Sequence, residues 1–358
     1  MPRVSVLMAA YNVEEFIDQA VQSLLAQTYR DWELVAVDDG SVDSTGRRLD
    51  AWSARDLRIH IYHNERNLGL GATRKRTLEQ AEGEYAAILD SDDVAMPEWL
   101  ASRLDYLDNH RRVIALSGSR VLIDERGKKR KTIHDELSGP SLRWQLIFGN
   151  PIPNPSCVFR VEAARAVGGY RISGFSEDWD LFTRMAEAGE IVVSDLPLMQ
   201  YRIHKSNTSR VRAMAGPELE PLSTRIISRS VRHTVGLEVP SDLVWYLFRE
   251  RYFFRGVADT ARRALTFTMK CYQRFLEQYE LTPTEQAQVG TAFLKDVANI
   301  LRCGGWSPWQ VCRALALVLK QVRWGLFFLN GGWVPLLKLT LLPITQKCHS
   351  RFIELSEN

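Results

Sequence analysis

Several places in this 358-residue chain carry side chains whose type and spacing suggest chemistry. Asp90-Ser91-Asp92-Asp93 sets three carboxylates within four positions, straight after the apolar run Tyr85-Ala86-Ala87-Ile88-Leu89. Clustered anions repel one another and stabilise nothing alone. They make sense around a hard divalent cation that also holds an anionic group, most often a phosphate. The competing reading is an acidic loop ahead of a helix, since Met96-Pro97-Glu98-Trp99 has proline near a first helical position. Asp38-Asp39-Gly40-Ser41 closes another apolar run. A carboxylate there can accept hydrogen bonds from a nucleoside, whereas Asp43 reads as a helix cap. Ser176-Glu177-Asp178-Trp179-Asp180 puts acids in a first helical turn. Compensation of the helix dipole accounts for Asp180 and for Glu177. Asp178 is the candidate general base, a role that requires reach to the proton it removes. His204 follows the strand-like Tyr201-Arg202-Ile203 and precedes a polar loop; a lone histidine is more often structural than a ligand.

Asn67-Leu68-Gly69-Leu70-Gly71-Ala72-Thr73-Arg74 offers a partial glycine fingerprint. A dinucleotide site would need Gly or Ala where Arg74 stands. The segment reads better as a loop and helix N-terminus with donors for an anion, Arg74 adding charge. A helix-surface cation is the equal alternative for Arg74.

The elements that must position these residues alternate. Arg3–Ala9, Trp32–Val37, Arg58–His63 and Tyr85–Leu89 read as strands, and Val13–Gln27, Ser44–Ala54 and Gly71–Ala81 as helices between them. Repeated βα units of this length predict a mostly parallel, doubly wound sheet, an α/β class fold. Ligands bind at the carboxyl ends of such strands, where Asp39 and the Asp90 cluster both fall. Val113–Asp124 suggests a strand pair, and Arg126-Gly127-Lys128-Lys129-Arg130-Lys131 a solvated hairpin tip. Three prolines forbid a helix through Asn150-Pro151-Ile152-Pro153-Asn154-Pro155, and Glu177–Ala188 reads as a helix closed by Gly189. Past about Arg210 the strand signals vanish and helical patterns follow, over 243–254, 260–279, 284–302 and 308–328. The reading is therefore a catalytic region over 1–210 and a helical region over 211–358.

The bulk composition sets outer limits. Hydrophobic residues at 45% and charged residues at 25% fit a folded protein with a real core. A net charge of +3 is too small to imply nucleic-acid binding. Cys157, Cys271, Cys303, Cys312 and Cys348 show no CxxC pairing, which argues against a disulfide framework or zinc and fits a reducing compartment. Met1-Pro2-Arg3-Val4-Ser5-Val6 runs directly into a strand pattern, so no signal peptide is expected. Near the C-terminus, Trp306, Trp309, Trp324 and Trp333 are interleaved with Lys320, Arg323, Lys338, Lys347 and Arg351. The apolar stretch 324–342 is broken by Asn330-Gly331-Gly332, Pro335 and Lys338, so a span is not expected. It suits a peripheral, membrane-surface helix or, equally, a buried helical packing domain or homodimer face.

Together the motifs resemble the family 2 glycosyltransferases of GT-A fold, the group of many bacterial polysaccharide and O-antigen sugar transferases. The resemblance covers roughly residues 1–210, with separated motifs in the family's order. Ala9, Ala10, Tyr11, Asn12 and Glu14 match the family's nucleotide-binding start. Asp39 matches the acid that contacts the base. Asn67 and Arg74 match the loop before the metal motif, although Thr73-Arg74-Lys75 stands where Ala-Arg-Asn is usual. Asp90, Ser91 and Asp92 match its DxD element, with Asp92 the direct metal ligand. Glu177-Asp178 matches the acidic pair whose Asp is the catalytic base, and His204 a histidine that completes the metal–diphosphate site.

The resemblance implies an inverting, metal-dependent transfer from a nucleotide-sugar, UDP-linked in the first instance, with Mg²⁺ or Mn²⁺ as cofactor. The acceptor would be a hydroxyl of a saccharide or lipid-linked saccharide, reached at the cytoplasmic membrane face. Two rivals are a sugar-phosphate nucleotidyltransferase and a non-catalytic nucleotide-sugar-binding protein of the same fold. The first would carry a glycine-rich, basic loop where Ala9-Ala10-Tyr11-Asn12 stands. Intact Asp92 and Asp178 argue against the second.

Overall fold

Four short apolar runs become the strands β1 (Val4–Ala10), β2 (Trp32–Asp38), β3 (Ile59–His63) and β4 (Tyr85–Ile88). In the computed structural model, which describes residues 1–171, 176–207, 220–248, 257–303, 306 and 308–321, they lie parallel in the order β3-β2-β1-β4. The runs are continuous rather than alternating because β2 and β4 are buried throughout, as expected for parallel strands covered on both faces. Helices α1 (Ile17–Leu25), α2 (Thr45–Ser53) and α3 (Leu70–Gln80) make the crossovers. Val6, Met8, Leu34, Ala36 and Tyr85 join Ile17, Val21 and Leu24 of α1 in one core with Trp99 and Leu104.

The register fixes the site. Ala10 lies opposite Asp38, and Leu7 opposite Ile88, so β1, β2 and β4 end along one edge of the sheet. Asp39 and Asp90 both follow those ends.

The second half of this unit is mixed. In order come β5 (Val94–Ala95), α4 (Trp99–Asn109), β6 (Val113–Ile123), β7 (Lys129–Ile133), α5 (Gly139–Phe148), β8 (Val158–Arg160), α6 (Val161–Ala166), α7 (Glu177–Ala188), β9 (Glu190–Arg202) and α8 (Glu220–Val235). The sheet continues from β4 through β8, β6 and β9 to β5, with β7 on β6. β8 runs antiparallel to β4 and β6, β5 antiparallel to β9, and β6 parallel to β9. Parallel pairing therefore dominates only the first half.

The expected strand pair at 113–124 is instead a single strand, β6, which pairs with β7, β8 and β9. Gly118 is not a turn. A Cβ there would lie 2.0 Å from Arg103 Nη2, so the glycine makes room for a buried guanidinium. That guanidinium donates to Ser194 Oγ at 2.7 Å and to the Leu196 carbonyl at 3.0 Å, filling the register shift between β6 and β9.

The chain forms two compact units, the first holding all described residues up to Val239 and the second the described residues from Pro240 onward. The sequence places the change of character near 210. In the first unit α8 packs on α5 and α7, and Arg229 pairs with Glu187. In the second, α9 (Val244–Leu247), α10 (Ala258–Gln278), α11 (Pro283–Cys303) and α12 (Pro308–Gln321) are the described helices. α10 and α11 pack through stacked rings of Tyr272 and Phe293, 4.2 Å apart. Trp306 is buried and Trp309 exposed. The interfacial segment expected at 324–342 lies outside the described residues, as do Arg323, Lys347, Arg351 and Cys348. No helix among the described residues is long and apolar enough to cross a membrane. Cys157 and Cys271 are free thiols, and both are buried.

Candidate active site

The loop after β4 is shaped by its last acid. Asp93 is fully buried, its N–H donates to the Asp90 carbonyl at 3.1 Å, and its Oδ1 accepts from the Arg202 N–H at 2.8 Å. Burial, reinforced by the charges of Asp92 and Asp90, pushes its carboxyl well above the usual carboxylate range. Arg202 also donates through Nε to the Asp92 carbonyl at 2.8 Å and through Nη1 to the Glu125 carbonyl at 3.0 Å. Its Nη2 reaches Gln19 Oε1 of α1 at 2.7 Å. One side chain at the end of β9 thus joins the acidic loop, the β6–β7 turn and α1.

Arg202 hands the chain to His204. The imidazole is buried, with Nε2 2.7 Å from Asp92 Oδ2 across 112 residues of sequence. Nδ1 lies 2.8 Å from Ser206 Oγ, which orients the ring. Asn207 locks the turn: its Oδ1 accepts from the His204 N–H at 2.6 Å and its Nδ2 donates to the Arg202 carbonyl at 3.0 Å. A carboxylate beside an imidazole held at its far nitrogen is a pair able to contribute to a divalent-cation site. The described residues contain no group of three His, Cys, Asp or Glu side chains that could hold a metal unaided. The pair fits a cation whose other ligands come from a diphosphate and water.

A second joint ties the acidic loop to α7. Arg74, buried on α3, donates through Nη2 to Asp90 Oδ1 at 2.9 Å and through Nη1 to Glu177. Burial opposes its charge, but the pull of Asp90 and Glu177 more than offsets this and raises its pKa. At Asp90 burial wins: the carboxyl sits above its usual range despite Arg74, with the Asp92 charge adding to the rise. Arg74 is therefore a bridge between two carboxylates rather than an open anion donor. Glu177, expected to compensate the helix dipole, is 2% exposed and held by that bridge. Asp178, the next residue, is half-buried and faces Arg74 and Asp90 electrostatically. Asp180 pairs with Arg184 at 2.6 Å, as its spacing predicts.

The remaining candidates gather at the ends of β1 and β2. Asp39 is buried; its Oδ1 accepts from Asn64 Nδ2 at 2.6 Å and the Leu68 N–H at 2.9 Å, and its Oδ2 from the Gly69 N–H at 2.9 Å. Asn67 Oδ1 also accepts from the Gly69 N–H, at 3.0 Å. Asn12, at a left-handed φ of 50°, accepts from the Val42 N–H at 3.0 Å. Glu14 accepts from the Ser44 N–H at 2.9 Å, and Asp43, one residue before the N-cap Ser44, accepts from the Thr45 N–H, also at 2.9 Å. The Asn12 and Glu14 side chains thus stitch two loops together. Tyr11 stands exposed at the end of β1, while Ala10 and Ser91 are buried and Ala9 half-buried. Three tied groups result: the β1–β2 loops with Asp39, the Asp90–Arg74–Glu177 bridge, and the Asp92–His204 pair.

Sequence reasoning assigned no role to Arg202 or Asn207, although both sit in the Tyr201–Asn207 segment it singled out. A basic residue two positions before the candidate ligand was the available signal.

The profile of glycosyl transferase family 2 matches residues 5–166. The amylovoran biosynthesis glycosyltransferase AmsE of Erwinia amylovora is 33% identical over 204 residues, 55% of this chain and 75% of that protein. An uncharacterized glycosyltransferase of Haemophilus influenzae is 31% identical over 221 residues, 59% of this chain and 68% of that one. Among solved structures, S. aureus TarS 1–349 in complex with UDP-GlcNAc superposes with a TM-score of 0.55 at 19% identity, covering 92% of each chain. The sheet has the GT-A architecture of that neighbour. With the family's motifs in order and relatives matched over two thirds of their length or more, this chain belongs to glycosyl transferase family 2 and is a glycosyltransferase.

Proposed function

We propose that the protein moves a sugar from a UDP-sugar to a hydroxyl of a saccharide or lipid-linked saccharide acceptor, with inversion at the anomeric carbon, in polysaccharide synthesis. The observation that carries this is the Arg74 bridge, which fastens Asp90 of the acidic loop to Glu177, the neighbour of Asp178. Phosphate-side acids and a candidate base thereby form one group.

Asp39 and the end of β1 receive the nucleoside. Asp178 accepts the proton of the acceptor hydroxyl as it attacks. A single displacement on an oxocarbenium-like centre needs no second nucleophilic carboxylate, so the configuration inverts. Asp92 and His204 would hold Mg²⁺ or Mn²⁺, which supplies charge neutralisation for the departing diphosphate. The UDP-GlcNAc complex of TarS supports a uridine donor, and the name of AmsE supports a polysaccharide product. The second unit is read as meeting the cytoplasmic membrane face or a second copy.

The test is a screen of UDP-, GDP- and dTDP-sugars with purified protein, following nucleotide release. Release is expected only with a divalent cation. Asp92→Ala should weaken metal-dependent nucleotide binding; an unchanged titration would remove Asp92 as ligand. Asp178→Asn should lower transfer by about 10²–10⁴-fold while nucleotide binding stays, the range typical of a general base.

A further inference from the structure

We propose that Asn150 is the positioning residue of the base, holding Asp178 in the orientation that takes the acceptor proton. The inference rests on the reading of Asp178 as that base.

Asn150 follows Gly149, the C-cap of α5, and opens the segment Asn150-Pro151-Ile152-Pro153-Asn154-Pro155. Its Oδ1 accepts from the Ile152 N–H at 3.1 Å. That bond fixes which way the amide faces, so Nδ2 is turned outward and donates to Asp178 Oδ2 at 3.0 Å. The other carboxylate oxygen, Oδ1, accepts from the Trp179 N–H at 2.7 Å. Both oxygens of Asp178 are thus held, one by its own helix and one from 28 residues away. Each bond uses one lone pair, leaving Oδ2 free to accept a proton along a defined direction.

The Asn150 loop is itself fixed. Three prolines lock φ through it. Ser117 Oγ donates to the Pro153 carbonyl at 2.5 Å, and Trp99 Nε1 to the Ser156 carbonyl at 3.1 Å. An amide clamped at both ends orients its partner better than a mobile donor can.

The chemistry of the donor also matters. Asp178 already faces Arg74 from α3, Asp90 from the acidic loop, the neighbouring Glu177, and the buried Tyr170 and Cys157. A neutral amide orients the carboxylate without adding charge to this set. An acid at 150 would compete for the proton and repel the base.

The experiment compares Asn150→Ala and Asn150→Asp with wild type and Asp178→Asn, using whichever sugar nucleotide turns over in the screen. Circular dichroism melts report folding, and Asn150→Asp is isosteric and keeps the acceptor for the Ile152 N–H. Asn150→Ala is expected to lower kcat by about 10–100-fold, the scale of a misplaced reacting group, with the donor KM unchanged. In Asn150→Asp the acidic limb of the pH–rate profile should move up by about one unit or more, as for paired carboxylates. The ¹³C carboxyl titration of Asp178, assigned by its loss in Asp178→Asn, should move the same way without substrate.

If Asp178→Asn is inactive but both Asn150 variants keep the wild-type kcat and titration, Asn150 is a loop residue and the inference fails alone. An effect confined to the acceptor KM would make Asn150 an acceptor contact and also overturns it. Full transfer by Asp178→Asn would instead overturn the reading of Asp178 itself.

Discussion

Removing the Arg74 guanidinium would take from half-buried Asp90 and buried Glu177 the cation that bridges them. A buried charge stripped of its partner costs about 3–5 kcal/mol, so Arg74→Met should lower the stability of the first unit by that order in urea unfolding. Arg74→Lys keeps the charge but cannot reach two carboxylates with a planar fork. It should lose less stability than Arg74→Met, with sugar transfer falling further than nucleotide binding, because the acidic loop and α7 are no longer tied. Equal losses of stability in the two variants would show that the fork geometry contributes nothing. The same side chain marks the limit of what residue types disclose. The residues alone marked Asp90 and Asp92, because clustered acids at a strand end have few structural uses; it took the family resemblance to add Asp178 and His204 to them. Arg74 was legible only as a cation. Its partners stand 16 and 103 residues away, and no local pattern encodes that distance.

At the scale of elements, the end of β3 is clamped by a histidine. His63 Nδ1 lies 3.2 Å from Asp38 Oδ2 at the end of β2, and Nε2 lies 2.9 Å from Asp50 Oδ1 on α2. Burial lowers its pKa, but the bonds from Asp50 and Asp38 outweigh this and carry it above the ordinary value. A raised folded-state pKa means the clamp stabilises fully below the unfolded value of about 6.5 and weakens as pH rises through the folded one. The difference in melting temperature between wild type and His63→Gln should therefore be largest near pH 5.5 and shrink toward pH 8. A difference that grew with pH would contradict the clamp. The other element-scale device is Gly118, where any Cβ meets Arg103. Gly118→Ala should destabilise by about 1–3 kcal/mol, the cost of overpacking, read from chemical denaturation. These two devices also explain which elements the sequence disclosed. The βα repeats through β4 were readable because each apolar run is bounded by turn residues. The length of β6 was not, because Gly118 looks like a break and is a packing hole. Three-residue β8 is too short for a period to register, and α5 is buried on most sides, so its apolar residues mark no single face.

For the whole molecule, the consequential feature is where the contacts divide. All candidate residues from Ala9 to His204 lie in the first unit, whose principal core runs from Val4 to Met199. α8 packs on α5 and α7 inside that unit, so cutting at 210 would strip a helix from it, whereas cutting after Val239 would not. Amphipathic helical periodicity in the sequence could not make this distinction, since a helix that caps an α/β unit and one that belongs to a helical unit show the same spacing. A fragment of residues 1–239 should unfold cooperatively and, on the proposed function, match the full chain in calorimetric titrations with UDP and Mn²⁺. A fragment of 1–210 should melt lower, having lost the burial of Ile226, Ile227 and Val231. Fully burying each such side chain contributes about 1.5–3 kcal/mol, so the loss should exceed one such increment. Equal melting temperatures for the two fragments would place the functional boundary at 210 and make α8 dispensable. Loss of UDP binding in the 1–239 fragment, with folding intact, would mean that the helical unit takes part in donor recognition.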